Sequence, residues 1–160
     1  MMEIRTAQET DIDQIDRLYP VLFTEMHVLQ PSVFQDARQD KDFLRAMIAG
    51  PGSAVLLAET EGRILGIAVV QQQKTPPYHC LVPHTYAYLM DLVVAPGERS
   101  RGTGTALLAA VKAWARDRGL DYVELNVLHE NIRAYQLYLR EGFTPAMHTM
   151  RCWLEEDCHE

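Results

Sequence analysis

The chain has 160 residues, 48% of them hydrophobic and 23% charged, a composition that excludes a disordered or fibrous protein and fits one domain over residues 1–160. Fifteen Lys and Arg against 22 Asp and Glu give a net charge of -7. That balance speaks against nucleic acid as a partner, and any polyphosphate ligand must be held by a local site against the overall field.

The opening residues Met1 to Arg5 lead directly into a strand-like run without an apolar leader, so no secretory signal is expected. No window approaches the roughly 18 apolar residues of a spanning helix, so no membrane partner is expected. Cys80, Cys152 and Cys158 form neither a disulfide framework nor a tight metal pair. Cys152, Cys158 and His159 read as thiols and an imidazole at one end of the chain, so no metal site is expected. Three thiols without a pairing pattern suit a reducing, cytoplasmic compartment.

A short strand is expected at Glu3 to Ala7, then a helix capped by Thr10, with Asp11 and Asp13 in its first turn. Ile12, Ile15, Leu18, Tyr19 and Leu22 supply its apolar stripe, and Pro20 is expected to kink or divide it. A second helix runs from Asp40 to Ala49 and is closed by Gly50-Pro51-Gly52. Two strands, Ser53 to Thr60 and Arg63 to Gln73, flank a Glu61-Gly62 turn. A Pro-rich connection, Lys74 to His84, precedes a long strand from Thr85 to Ala95. Then come a helix from Thr103 to Arg118 stopped by Gly119, a strand from Tyr122 to Leu128, a helix from Asn131 to Arg140, and one or two strands after Gly142. The order β-α-α-β-β-β-α-β-α-β describes a mixed α/β layer fold and not a regular βαβ array.

The segment Asp91 to Leu108 carries the strongest chemical signal. A buried strand ends at Pro96-Gly97 and feeds a turn, Glu98-Arg99-Ser100-Arg101-Gly102-Thr103-Gly104, that opens an Ala/Leu helix. The first amides of such a helix lack partners and sit at the positive end of its dipole, which makes an anion site. Gly102 and Gly104 permit unusual backbone angles and close approach, and Arg99 and Arg101 can add charge-assisted contacts. No Lys-Ser/Thr pair follows the last glycine, and the spacing is not G-x-G-x-x-G, so neither a P-loop nor a dinucleotide fingerprint is present. Downstream, Asn131, Ala134 and Tyr138 fall at i, i+3 and i+7, one helical face. An amide, a small residue and a phenol in line would let a thin chain lie along that helix and end at a proton donor. Tyr135 and Leu137 read as packing residues.

Together the two segments resemble the GNAT N-acetyltransferase superfamily. Its first signature, Arg/Gln-x-x-Gly-x-Gly/Ala after a central strand, is met by Arg99, Gly102 and Gly104; its second, by Asn131, Tyr138 and Gly142-Phe143. The resemblance implies a central, mixed but mostly antiparallel sheet with splayed middle strands and about four flanking helices. It implies acetyl-CoA as co-substrate, with its pyrophosphate on the amides of Arg99, Ser100, Arg101, Gly102, Thr103, Gly104 and Thr105. It further implies a pantetheine arm between Leu92 to Val94 and Asn126 to Leu128, touching Asn131 and Ala134. A backbone N–H of Leu92 or Val93 would polarise the thioester carbonyl, and Tyr138 would protonate the departing thiolate.

The implied reaction is transfer of acetyl to a primary amine by direct attack in a ternary complex. The positions where relatives often carry a glutamate are Tyr88, Met90 and Asn126 here, so the base is open. Asp91 is the nearest acid; Glu124, His84, Glu25 and His27 stand further off. The acceptor, a small molecule or a peptide amine, would meet the first two helices and the Lys74 to His84 loop, where Glu25, Asp36, Asp40 and Asp42 could attract a cation. A homodimer is the family's habit. The competing readings are an acyl-CoA-binding regulatory module without catalysis, and an interaction domain pairing through Met147 to Glu155.

Overall fold

The structure, a computed structural model, describes residues 1–155; Cys158 and His159 lie outside the described residues. One sheet carries β1 (Glu3–Thr6), β2 (Ser53–Thr60), β3 (Arg63–Lys74), β4 (Thr85–Val94) and β5 (Val123–Leu125), in that spatial order. β1 to β4 are antiparallel neighbours, and β5 joins β4 in parallel. Four helices flank the sheet: α1 (Ile12–Leu29), α2 (Lys41–Ala49), α3 (Thr103–Asp117) and α4 (Ile132–Arg140). The mixed α/β layering expected from the element order, and the mostly antiparallel sheet implied by the resemblance, are observed.

Both faces of the central strands are covered. Ser53 to Ala58 on β2 and Ile64 to Val70 on β3 are buried without interruption, the pattern of a strand with a layer on each side. On one face Val55, Leu57, Ile67, Val69 and Val93 meet Ile12, Ile15, Leu18 and Tyr19 of α1 and Leu44 of α2. On the other, Leu56, Ala68, Val70 and Leu89 meet Leu107, Leu108 and Val111 of α3, with Leu137 and Tyr138 of α4 at the margin. Glu61 and Gly62, with φ of 51° and 76°, make the tight turn whose twist matches a two-stranded hairpin. Arg5 clasps the first edge, bonding Asp11 at 2.8 Å and Glu59 at 2.9 Å.

Three expectations need correction. Pro20 does not divide its helix: α1 is continuous from Ile12 to Leu29, because buried Leu18 and Tyr19 before the proline and packed Leu22 and Phe23 after it anchor both sides. β5 spans Val123–Leu125 and not Tyr122 to Leu128, since its pairing with β4 ends at Leu89↔Leu125. Among the described residues no strand follows Gly142; residues 144 to 152 make no backbone-to-backbone hydrogen bond. No helix among the described residues is long and apolar enough to cross a membrane.

Candidate active site

β4 is irregular where the chemistry is expected. Val70 faces Leu89 and Val69 faces Asp91, so Met90 is an extra residue, a β-bulge. β5 pairs only with Ala87 to Leu89, and Asn126 Nδ2 donates to Tyr88 Oη at 2.9 Å at the fork. Beyond the fork, β4 has no sheet neighbour on that side among the described residues. The Ala95 N–H donates to the Leu65 carbonyl at 2.8 Å. Because hydrogen-bonding direction alternates along an antiparallel strand, Val93 N–H also faces β3, while the N–H groups of Leu92 and Val94 face the groove.

The turn after β4 leaves donors open. A 3-10 turn, Pro96–Glu98, leads to Ser100 at φ 63° and Gly102 at φ 85°, two left-handed positions that curl the amides into a concavity. Gly102 is the N-cap of α3 and no side chain caps that helix. The Ala106 N–H reaches the Gly102 carbonyl at 2.9 Å, so Thr103, Gly104 and Thr105 present N–H groups without an intrahelical acceptor. A Cβ on Gly104 would stand 3.2 Å from Leu137 Cδ2, so this glycine also lets α4 approach α3. The arginine side chains are placed differently from the sequence reading. Arg99 forms a close ion pair with Glu25 of α1 and lies 3.4 Å from the Val94 carbonyl, while Arg101 is exposed and 3.7 Å from Glu98. The Thr105 hydroxyl donates to Glu141 at 3.0 Å.

α4 presents the expected face. Asn131 is its N-cap, with Oδ1 accepting the Ala134 N–H at 3.2 Å, and Asn131, Ala134 and Tyr138 are all half-buried. The Tyr138 ring meets Phe143 edge-on at 5.8 Å, and burial pushes its phenol up to about 12, so it keeps its proton at neutral pH. Leu137 packs as expected, whereas Tyr135 is exposed, because the side of α4 carrying it has no layer against it.

Asp91 accepts a hydrogen bond from Tyr19 Oη at 2.7 Å. Burial raises the Asp91 carboxyl above its ordinary range, with the Tyr19 bond opposing, and burial raises the Tyr19 phenol as well. Sequence reading placed Tyr19 only in a packing stripe; a phenol that is fully buried must find a polar partner, and that requirement is the signal it carried. The other acids and imidazoles are engaged elsewhere. Asp36 accepts from Thr24, Asp40 caps α2, Asp42 pairs with Arg45, and Glu25 pairs with Arg99. His84 pairs with Asp121 and His27 meets the Phe34 carbonyl, each at 2.7 Å, and Glu124 is exposed on β5. Among the described residues, no group of three His, Cys, Asp or Glu could hold a metal ion.

Residues 15–143 match the family model of the acetyltransferase (GNAT) family. The chain belongs to that family. Among curated GNAT relatives, it is 31% identical over 142 residues to an uncharacterized N-acetyltransferase, YhfO, of Bacillus subtilis, covering 89% of each chain. The fold matches a single-residue variant of the BH1408 protein of Bacillus halodurans at a TM-score of 0.91, with 24% identity over 96% of this chain and 99% of that one. It also matches an aminoglycoside N-acetyltransferase solved in complex with CoA at a TM-score of 0.74, with 18% identity over 96% of this chain and 94% of that one.

Proposed function

We propose that this GNAT protein transfers an acetyl group from acetyl-CoA to a primary amine by direct attack, in a ternary complex. The observation that carries this is the uncapped start of α3 beside an unpaired edge of β4. Three amides, Thr103 to Thr105, and two left-handed residues, Ser100 and Gly102, fit a diphosphate, and the groove-facing N–H groups of Leu92 and Val94 suit the amides of a pantetheine arm. Leu92, Leu137 and Tyr138 join the same apolar cluster, so the groove and the phenol belong to one packed unit. Acetyl-CoA, when bound, supplies the activated thioester.

Each protein group then has a defined task. Leu92 N–H donates to the thioester oxygen as negative charge develops there; Val93, facing β3, is not available for it. Asn131 keeps its amide N–H groups for the arm while its oxygen caps α4. Ala134 leaves room for the arm. Asp91 takes the proton of the ammonium, directly or through one water, and its raised carboxyl makes it a better base than an ordinary aspartate. The C–N bond forms as the C–S bond breaks. A phenol near about 12 is too weak an acid to give its proton outright to a thiolate of about 8.5. Tyr138 therefore stabilises the departing sulfur by donating a hydrogen bond, and its proton passes to the sulfur only as the phenol oxygen takes the second amine proton, so that CoA leaves as the thiol. No acyl-enzyme is needed, and the thiols of Cys80 and Cys152 are exposed, as a reducing cytosol allows.

The acceptor read here is a small-molecule amine, the class that the name of the aminoglycoside-modifying structural relative indicates for that protein. The test is an acceptor screen that follows thiol release from acetyl-CoA. Release that depends on one amine class supports transfer; tight CoA binding with no release on any amine selects the silent regulatory module.

A further inference from the structure

Side chains alternate along a strand, so Tyr86 and Tyr88 of β4 share one face of the sheet. Tyr88 lies opposite Glu124 in the parallel pairing, which puts Tyr122, Glu124 and Asn126, in and beside β5, on that same face. Further along the sheet this face is covered by α1 and α2. The cluster beneath those helices holds no residue of β5 and none of β4 before Met90. The reverse face, with Ala87, Leu89, Val123 and Leu125, packs under α3. The tyrosine face therefore stands open, next to the fork.

The groups on this open face hold one another in place. Tyr86 and Tyr122 stack with ring centroids 4.9 Å apart and 10° between their planes. Tyr86 Oη donates to Gln73 at 3.1 Å, and Tyr88 Oη accepts from Asn126 at 2.9 Å. Four side chains thus mark a square, with Tyr86 beside Tyr122 and Tyr88 beside Glu124. Partial burial, and then the charge of Glu124, raise the Tyr86 and Tyr122 phenols above their ordinary range, and no lysine or arginine acts on either ring. Asp121, the neighbouring acid, is taken by His84 at 2.7 Å, whereas Glu124 is in no ion pair among the described residues. A free carboxylate beside three phenol rings suits a cation: the acid attracts the charge, and the electron-rich ring faces hold it.

We propose that this square binds a second, non-reacting cation of the acceptor; resting on the transfer reading above, this makes the substrate a diamine or a larger small-molecule polycation. The position fits. Val69 and Gln71, two residues apart on β3, face Asp91 and Tyr88, so the square lies about 7 Å along the sheet from Asp91 and about 5 Å across it. Two ammonium groups roughly 8–9 Å apart reach both places at once, the first giving its proton toward Asp91 and the second lying on Glu124. The second group changes no bonds during transfer. It therefore holds the ground state and the transition state alike and acts through KM, not kcat.

Calorimetry on the full chain without acetyl-CoA tests the site apart from the reaction. The probes are hexamethylenediamine, whose nitrogens span that separation, and hexylamine, of the same length with one charge. The diamine should bind roughly 10-fold more tightly, the combined weight of an exposed ion pair and a cation–ring contact. Glu124→Gln should weaken diamine binding by roughly 5-fold and Tyr122→Leu by roughly 3-fold. Both side chains are exposed, so neither change threatens the fold. Equal affinity for the two probes, or a diamine preference that survives Glu124→Gln, overturns the proposal. With acetyl-CoA present, KM should fall along the series from ethylenediamine to hexamethylenediamine while kcat holds nearly steady; a KM indifferent to length overturns it as well. Discriminating binding without thiol release keeps the cation site and removes the transfer reading. Thiol release at one KM for both probes does the reverse.

Discussion

The two ends of the sheet are built to different standards. β2, β3 and β4 carry the buried core, half-buried Ile4 and Arg5 of β1 border it, and α1 and α2 close one face over fully buried Ile15, Tyr19, Leu44 and Leu57. From β5 onward the molecule thins: a three-residue strand, a helix without a buried residue, and an exposed arm. The closed end holds the shape, while the candidate site lies on the seam, where β4 belongs to one region and α4 to the other. Free energy of folding and the capacity for chemistry therefore sit in different places.

The contrast can be broken by substitution, beginning with the largest effect. Leu44→Ala, in the closed region, should lower unfolding free energy by about 2–5 kcal/mol through an uncollapsed cavity, read as a shifted urea midpoint. A loss below 1 kcal/mol would show that the closed region is looser than its burial says. Tyr138→Phe, in the thin region, should lower kcat by roughly 100-fold with KM for acetyl-CoA and Tm nearly unchanged. An unchanged kcat removes the phenol from the reaction.

On the seam itself, Gly102→Val should weaken CoA binding by roughly 10-fold in calorimetry. It should also lower Tm by a few degrees, because a β-branched residue is strained at φ 85°. Wild-type affinity would move the diphosphate away from this turn. The smallest effect has the opposite sign. The Asp91 carboxyl is raised in the folded state, so its contribution to stability is present below the unfolded value and fades as pH rises through the folded one. Asp91→Asn keeps an oxygen acceptor for Tyr19 and removes the buried charge. Its urea midpoint should exceed wild type at about pH 7, converge at about pH 4, and be accompanied by lost turnover. A midpoint below wild type at neutral pH would make Asp91 a structural carboxylate.

Much of this was legible in the chain itself wherever the cause is local. The Glu61-Gly62 turn and the Gly102 entry to α3 each depend on residues a few positions apart, and both are found where expected. The face shared by Asn131, Ala134 and Tyr138 follows from helical spacing alone. Contacts that join distant segments were not legible. Tyr19 reaches Asp91 across 72 positions and Glu25 reaches Arg99 across 74, so neither the phenol's partner nor the diversion of the arginine could be read from spacing. The end of β5 was misjudged because periodicity marks a segment fit to be a strand, whereas pairing needs a neighbour, and β4 has already turned aside.

The extra residue at Met90 has a consequence for how this sheet tolerates change. One added position inverts every side chain beyond it, which is why Leu89 and Leu92 share a layer while Asp91 and Val93 point the other way. Pairing β4 without the bulge, with Met90 opposite Val69, would exchange the two sets at a stroke, sending leucine toward the first helix and the carboxylate into the layer beneath the third, whereas deleting Met90 would keep Asp91 opposite Val69. The way β4 takes up its extra residue is thus as specific to the chemistry as the identity of any side chain on it.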